Sequence, residues 1–67
     1  MDFDGVVRRV RQEFVEMPGL RLTLAQAVRL WGLERDICLA VIEALIAAAF
    51  LRRTATGAVM RLDGSLG

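Results

Sequence analysis

A mainly helical domain closed by a small β-hairpin is the fold this sequence predicts, on three observations. Apolar residues recur every three or four positions along three stretches. Helix start and stop signals separate those stretches, at Asp2, Pro18-Gly19, Thr23 and Gly32. Two short extended segments then flank Ala55-Thr56-Gly57 near the C-terminus. With 67 residues the chain makes one domain, expected over residues 1–62, with residues 63–67 as a flexible tail that only Leu66 would hold.

Asp2 caps a first helix whose apolar positions are Phe3, Val7, Val10, Phe14 and Met17, with Arg8, Arg9, Arg11, Gln12, Glu13 and Glu16 on the remaining surface. Pro18 disfavours helical geometry at the residue before it, so this helix ends near Met17. Leu20-Arg21-Leu22 alternates and is read as a short edge partner for a later strand. Thr23 and Gln26 have the spacing of a capping box, so a second helix starts at Leu24, turns Leu24, Ala27, Val28 and Trp31 inward and ends at Gly32.

A third helix, roughly Arg35 to Ala49, places Cys38, Val41, Ile42, Leu45 and Ala49 on its core-facing stripe, with Asp36 favouring its positive end. Phe50 to Thr54 is then extended, and Ala58 to Leu62 returns beside it. Arg53 and Arg61 stand four residues either side of Gly57 and are expected to face each other across this hairpin. The predicted core is Phe14, Val28, Trp31, Val41, Ile42, Leu45 and Phe50.

Composition narrows the function. The chain has no His, no Lys and no Gly-rich phosphate loop, and Ser65 is its one serine, so it is not expected to be an enzyme. Cys38 is the sole cysteine and is read as a small hydrophobe, or less favourably as a redox sensor; no metal or cofactor is expected. The run from Ile37 to Leu51 is interrupted by Glu43 and falls short of the ~20 residues that span a bilayer, so no membrane partner is expected. Met1-Asp2-Phe3-Asp4 lacks the basic-then-apolar layout of a secretory leader, and a cytoplasmic location is expected.

Helix, short strand, helix, tight glycine turn, helix and two-stranded hairpin resembles the order of a winged helix-turn-helix domain of the small bacterial type. The likeness spans about Phe3 to Leu62. It rests on Leu24 to Leu33, similar to the first helix and turn of the bihelical unit, on Cys38 and Val41, and on Glu43 to Thr54, similar to a third helix running into a wing. Where that family often has glycine this chain has Ala49, which predicts a less sharply turned lead into the wing. The resemblance implies binding of double-stranded DNA as a transcriptional regulator, or part of one, through Arg35 and the wing arginines Arg52, Arg53 and Arg61, with Arg21.

A second reading comes from the outward face of the third helix, which carries Asp36, Leu39, Ala40, Glu43, Ala44 and Ala47 and no basic residue. Carboxylates there repel a polyanion. Leu39, Ala40, Ala44 and Ala47 instead allow another chain to come close, as in a homodimer or a protein-docking module, unless the alanines serve helix propensity alone. The wing arginines also read two ways, as phosphate contacts or as solvated strand positions. Those on the first helix are read as a solvated face, with Arg9 and Glu13 four apart and able to pair.

Overall fold

The computed structural model describes residues 2–62; the expected tail at 63–67 lies outside the described residues. Six elements follow in order: α1 (Phe3–Glu16), β1 (Leu22–Thr23), α2 (Leu24–Trp31), α3 (Arg35–Ala47), β2 (Leu51–Arg53) and β3 (Ala58–Arg61). The three helices pack together with α3 against both others, and an antiparallel sheet ordered β1-β3-β2 closes the domain.

The helix ends follow the local chemistry of the sequence. The Asp2 carboxylate accepts from the Gly5 amide at 3.2 Å. Thr23 and Gln26 form the full capping box: the Gln26 amide donates to Thr23 Oγ1 at 3.2 Å, and the Thr23 amide donates to Gln26 Oε1 at 3.0 Å. Gly32 ends α2 in the left-handed region at φ 65°, its N–H donating to the Val28 carbonyl.

Ala49 departs from expectation. It lies neither in α3, which stops at Ala47, nor on the buried stripe; it is exposed and left-handed, at φ 60°. The Ala49 amide donates to the Ile46 carbonyl and the Phe50 amide to the Leu45 carbonyl, both at 2.9 Å, which is the Schellman arrangement. So the chain turns as sharply here as a glycine would turn it, and the alanine Cβ bears the cost. Ala49→Gly is expected to stabilise the domain by about 0.5–1 kcal/mol, because relief of the left-handed strain exceeds the added entropy of the unfolded chain. Thermal unfolding followed by circular dichroism should show a midpoint a few degrees higher; an unchanged or lower midpoint would contradict the strain.

Pairing in the sheet corrects two expectations. Beside the two-stranded hairpin of β2 and β3, the expected edge partner is not Leu20 to Leu22: Leu22 and Thr23 pair with Val59 and Ala58 on the far side of β3. Thr23, the cap of α2, is the last residue of this strand, and Leu20 and Arg21 stay outside it. Nor do Arg53 and Arg61 face each other; the register sets Arg61 opposite Leu51, Arg52 opposite Met60 and Arg53 opposite Val59. The loop is centred on Thr56, not Gly57: the Thr54 amide donates to the Ala58 carbonyl at 2.8 Å, and Gly57, at φ 85°, donates to the Thr54 carbonyl at 3.1 Å. A three-residue loop with its glycine last shifts each pairing by two residues from the symmetric guess.

The core joins Val10 and Phe14 of α1, Ala27 and Trp31 of α2, Cys38, Val41, Ile42 and Leu45 of α3, and Leu22, Leu51 and Val59 of the sheet. Phe14 and Trp31 meet edge to face, with centroids 6.3 Å apart. Val28 and Phe50, expected inside, are only half-buried against this cluster, and the α1 end positions Phe3 and Met17 are exposed.

Candidate nucleic-acid interface

Side chains on one sheet face alternate with those on the other, and here the alternation separates the arginines. Leu51, Val59 and Leu22 belong to the core cluster, so Arg53 and Arg61 project on that same face while Arg52, Met60 and Ala58 project on the outer one. Met60 is opposite Arg52 of β2, and Arg21, exposed, immediately precedes β1 on the other side of β3. Met60 is only 7% exposed although it faces away from the core, and Arg52 beside it is half-buried. This suits arginines, whose stems cover apolar surface while the guanidinium heads stay in water.

The other expected site residues are placed differently. Arg53 pairs with Glu43 of α3 at 3.8 Å, with both side chains more than half exposed. Such a surface pair adds about 0–1 kcal/mol at most, but it offsets the Arg53 charge locally. Arg61 is half-buried over the ring of Phe50. Arg35 is exposed as the first residue of α3, beside Asp36 and apart from the sheet arginines in sequence and element. Four of the five expected cations therefore lie on or beside the sheet, but they divide between its faces, with Arg53 and Arg61 on the core side and Arg52 on the outer side.

Along α3, Asp36, Ala40, Glu43 and Ala47 are exposed, whereas Leu39 and Ala44 are half-buried. This face carries no cation beyond Arg35 at its start. The only ion pair among the described residues is the one that ties it to β2. A shallow, open groove of about 480 Å³ lies elsewhere, lined by Leu22, Gln26, Arg29 and Leu30, and Leu30 is the most exposed large apolar residue among the described residues.

Trp31 is a core residue with a polar tip: its indole N–H donates to Glu13 Oε1 at 3.1 Å. Glu13 thus joins α1 to α2 and makes no ion pair with Arg9 among the described residues. Cys38 is fully buried, and burial pushes its thiol pKa up, which keeps it in the neutral, unreactive form. A thiol reagent such as DTNB should label the native protein only at the rate at which the domain opens, and the denatured protein within seconds. Immediate labelling of the native protein would restore a redox role.

Sequence reasoning singled out neither Met60, on the outer sheet face, nor Arg11, which lies away from it. Arg11, assigned to a solvated helix face, lies 5.1 Å from the Phe50 ring centroid. No group of His, Cys, Asp and Glu suited to a metal occurs among the described residues, and no described helix is long and apolar enough to cross a membrane. No protein family, curated protein or solved structure matches the chain.

Proposed function

We propose that the chain is a winged helix-turn-helix domain that binds double-stranded DNA mainly by phosphate contacts, as a transcriptional regulator or part of one in the cytoplasm. The observation that carries the reading is the outer sheet face, where Arg52 stands opposite Met60 while exposed Arg21 leads into β1 at the other edge. The order α1-β1-α2-α3-β2-β3 with β3 central supports the fold assignment. The outer strands of a three-stranded sheet lie about 10 Å apart, so cations carried at its two edges suit phosphates of a backbone rather than one base edge. Arg35 is the one cation placed to reach a groove from α3, while Asp36 and Glu43 oppose close approach of a polyanion along that helix. Binding of this kind is salt-sensitive and weakly selective for sequence.

A second reading is favoured by one specific observation. Ala40 and Ala47 are exposed beside half-buried Leu39 and Ala44 on a helix face without central cations, which suits a homodimer or a protein partner. The deciding experiment is fluorescence anisotropy of a labelled mixed-sequence duplex at two salt concentrations, with sedimentation on the same stock. Binding that weakens steeply with salt supports the DNA reading. No binding at low salt, together with a concentration-dependent dimer, rejects it in favour of the α3 face.

A further inference from the structure

Gln26, Arg29 and Leu30 occur at i, i+3 and i+4 of α2, so they share its outward face. With Leu22 of β1 they line the shallow groove of about 480 Å³. Leu22 is a buried member of the core cluster, whereas Leu30 is 57% exposed. An exposed leucine alone is ordinary, but this one borders a concavity that a core leucine also lines.

Charge sets the groove apart as well. Between Glu16 and Glu34 the chain has no carboxylate, and Arg21 and Arg29 are the only charged residues there, although eight Asp and Glu occur in the whole sequence. Arg29 takes part in no ion pair among the described residues. Gln26 accepts from the Thr23 amide through Oε1, which leaves its side-chain NH2 as a donor close to Arg29. Leucine surface and hydrogen-bond donors therefore line one groove that holds no negative charge.

This combination discriminates among occupants. A phosphate backbone would satisfy Arg29 but leave Leu22 and Leu30 in water. A second copy docked here about a two-fold axis would bring its own Arg29 toward the first, since such a contact uses the same patch on both chains. A protein segment with apolar and acidic side chains on one face meets both requirements. α2, with eight residues, is about 12 Å long, enough for about two turns of a helix laid along it. We infer that this groove docks a short acidic amphipathic helix of another protein, with a leucine-type side chain between Leu22 and Leu30 and a carboxylate on Arg29 and Gln26. The site is separate from Arg52 and from the α3 face, so it depends on neither reading above.

The test titrates two labelled peptides of about twelve residues into isotope-labelled protein; both have the same leucine spacing, one with glutamates on its polar face and the other with lysines. The glutamate peptide should bind saturably by anisotropy and shift the backbone amides of Leu22, Gln26, Arg29 and Leu30. Leu30→Ala and Arg29→Gln should each weaken it about tenfold. Val15→Ala, at an exposed apolar position of α1 outside the groove, should leave it unchanged. Arg29 and Leu30 are exposed, so their variants should melt within a few degrees of the parent. Equal binding of the lysine peptide, shifts that map elsewhere, or no saturable binding of the glutamate peptide would each overturn the inference. So would a mixed-sequence duplex that shifts the groove amides and loses affinity on Arg29→Gln, which assigns the groove to nucleic acid. Groove amides that shift with protein concentration alone would overturn it in favour of a second copy.

Discussion

Phe14→Ala leaves the domain largely unfolded at 25 °C. The Phe14 ring is fully buried on α1, edge-on to Trp31 of α2, in a cluster that also takes in α3 and the sheet. Removing such a ring costs about 3–5 kcal/mol, the lost transfer energy plus the cavity left behind. A chain of this length has roughly 3–10 kcal/mol of total stability, because a small domain buries a smaller fraction of its surface. The loss is therefore comparable with the whole. Far-UV circular dichroism and Trp31 fluorescence should report a missing or greatly lowered unfolding transition. Phe14→Leu, which keeps most of the volume, should retain a cooperative melt at a lower midpoint. Met17→Ala, at an exposed position of the same apolar stripe, should move the midpoint little. A Phe14→Ala protein melting within about 5 °C of the parent would place the centre of the core elsewhere.

That contrast between Phe14 and Met17 shows what was legible in the sequence. Caps act within four residues, and Asp2, Thr23 with Gln26, and Gly32 were readable because the groups they satisfy are close along the chain. Helical periodicity likewise identified Phe14, Trp31, Val41, Ile42 and Leu45 as core. Periodicity does not mark which of its apolar positions are covered: Phe3 and Met17 fall on the same pattern and are exposed.

The sheet was less legible because its geometry depends on segments far apart in sequence. Whether Leu22 and Thr23 join β3 depends on where α2 and α3 bring the chain back. A shift of the loop centre from Gly57 to Thr56 moved Arg61 from Arg53 to Leu51 and Arg53 to Val59. Arg53 and Arg61 thus fell on the core-side face, where Glu43 and Phe50 receive them, while Arg52 fell outside with Met60. Residue type marked the arginines as candidates, and the register decided which of them share a surface. Ala49 is the converse case, in which the turn geometry overrode a residue poorly suited to it.

The register also fixes the largest expected effect on binding. Replacing Arg21 and Arg52 together by glutamine should weaken duplex binding about fifty- to hundredfold at 0.1 M salt, with a slope of log affinity against log salt lower by about 2. Each substitution removes one phosphate contact, and positions on opposite edges of the sheet should contribute nearly independently. Arg53→Gln should cost much less, because Glu43 already offsets that charge at 3.8 Å. Glu43→Gln should do the opposite and tighten binding, since it removes a carboxylate that repels phosphate and releases Arg53 from its pair. These three variants separate a positioned contact from a mere count of charges: if affinity followed net charge alone, Arg53→Gln would lower log affinity by half as much as the double substitution. A double variant that binds as tightly as the parent would exclude the outer sheet face as the contact surface, whatever the arginines elsewhere contribute.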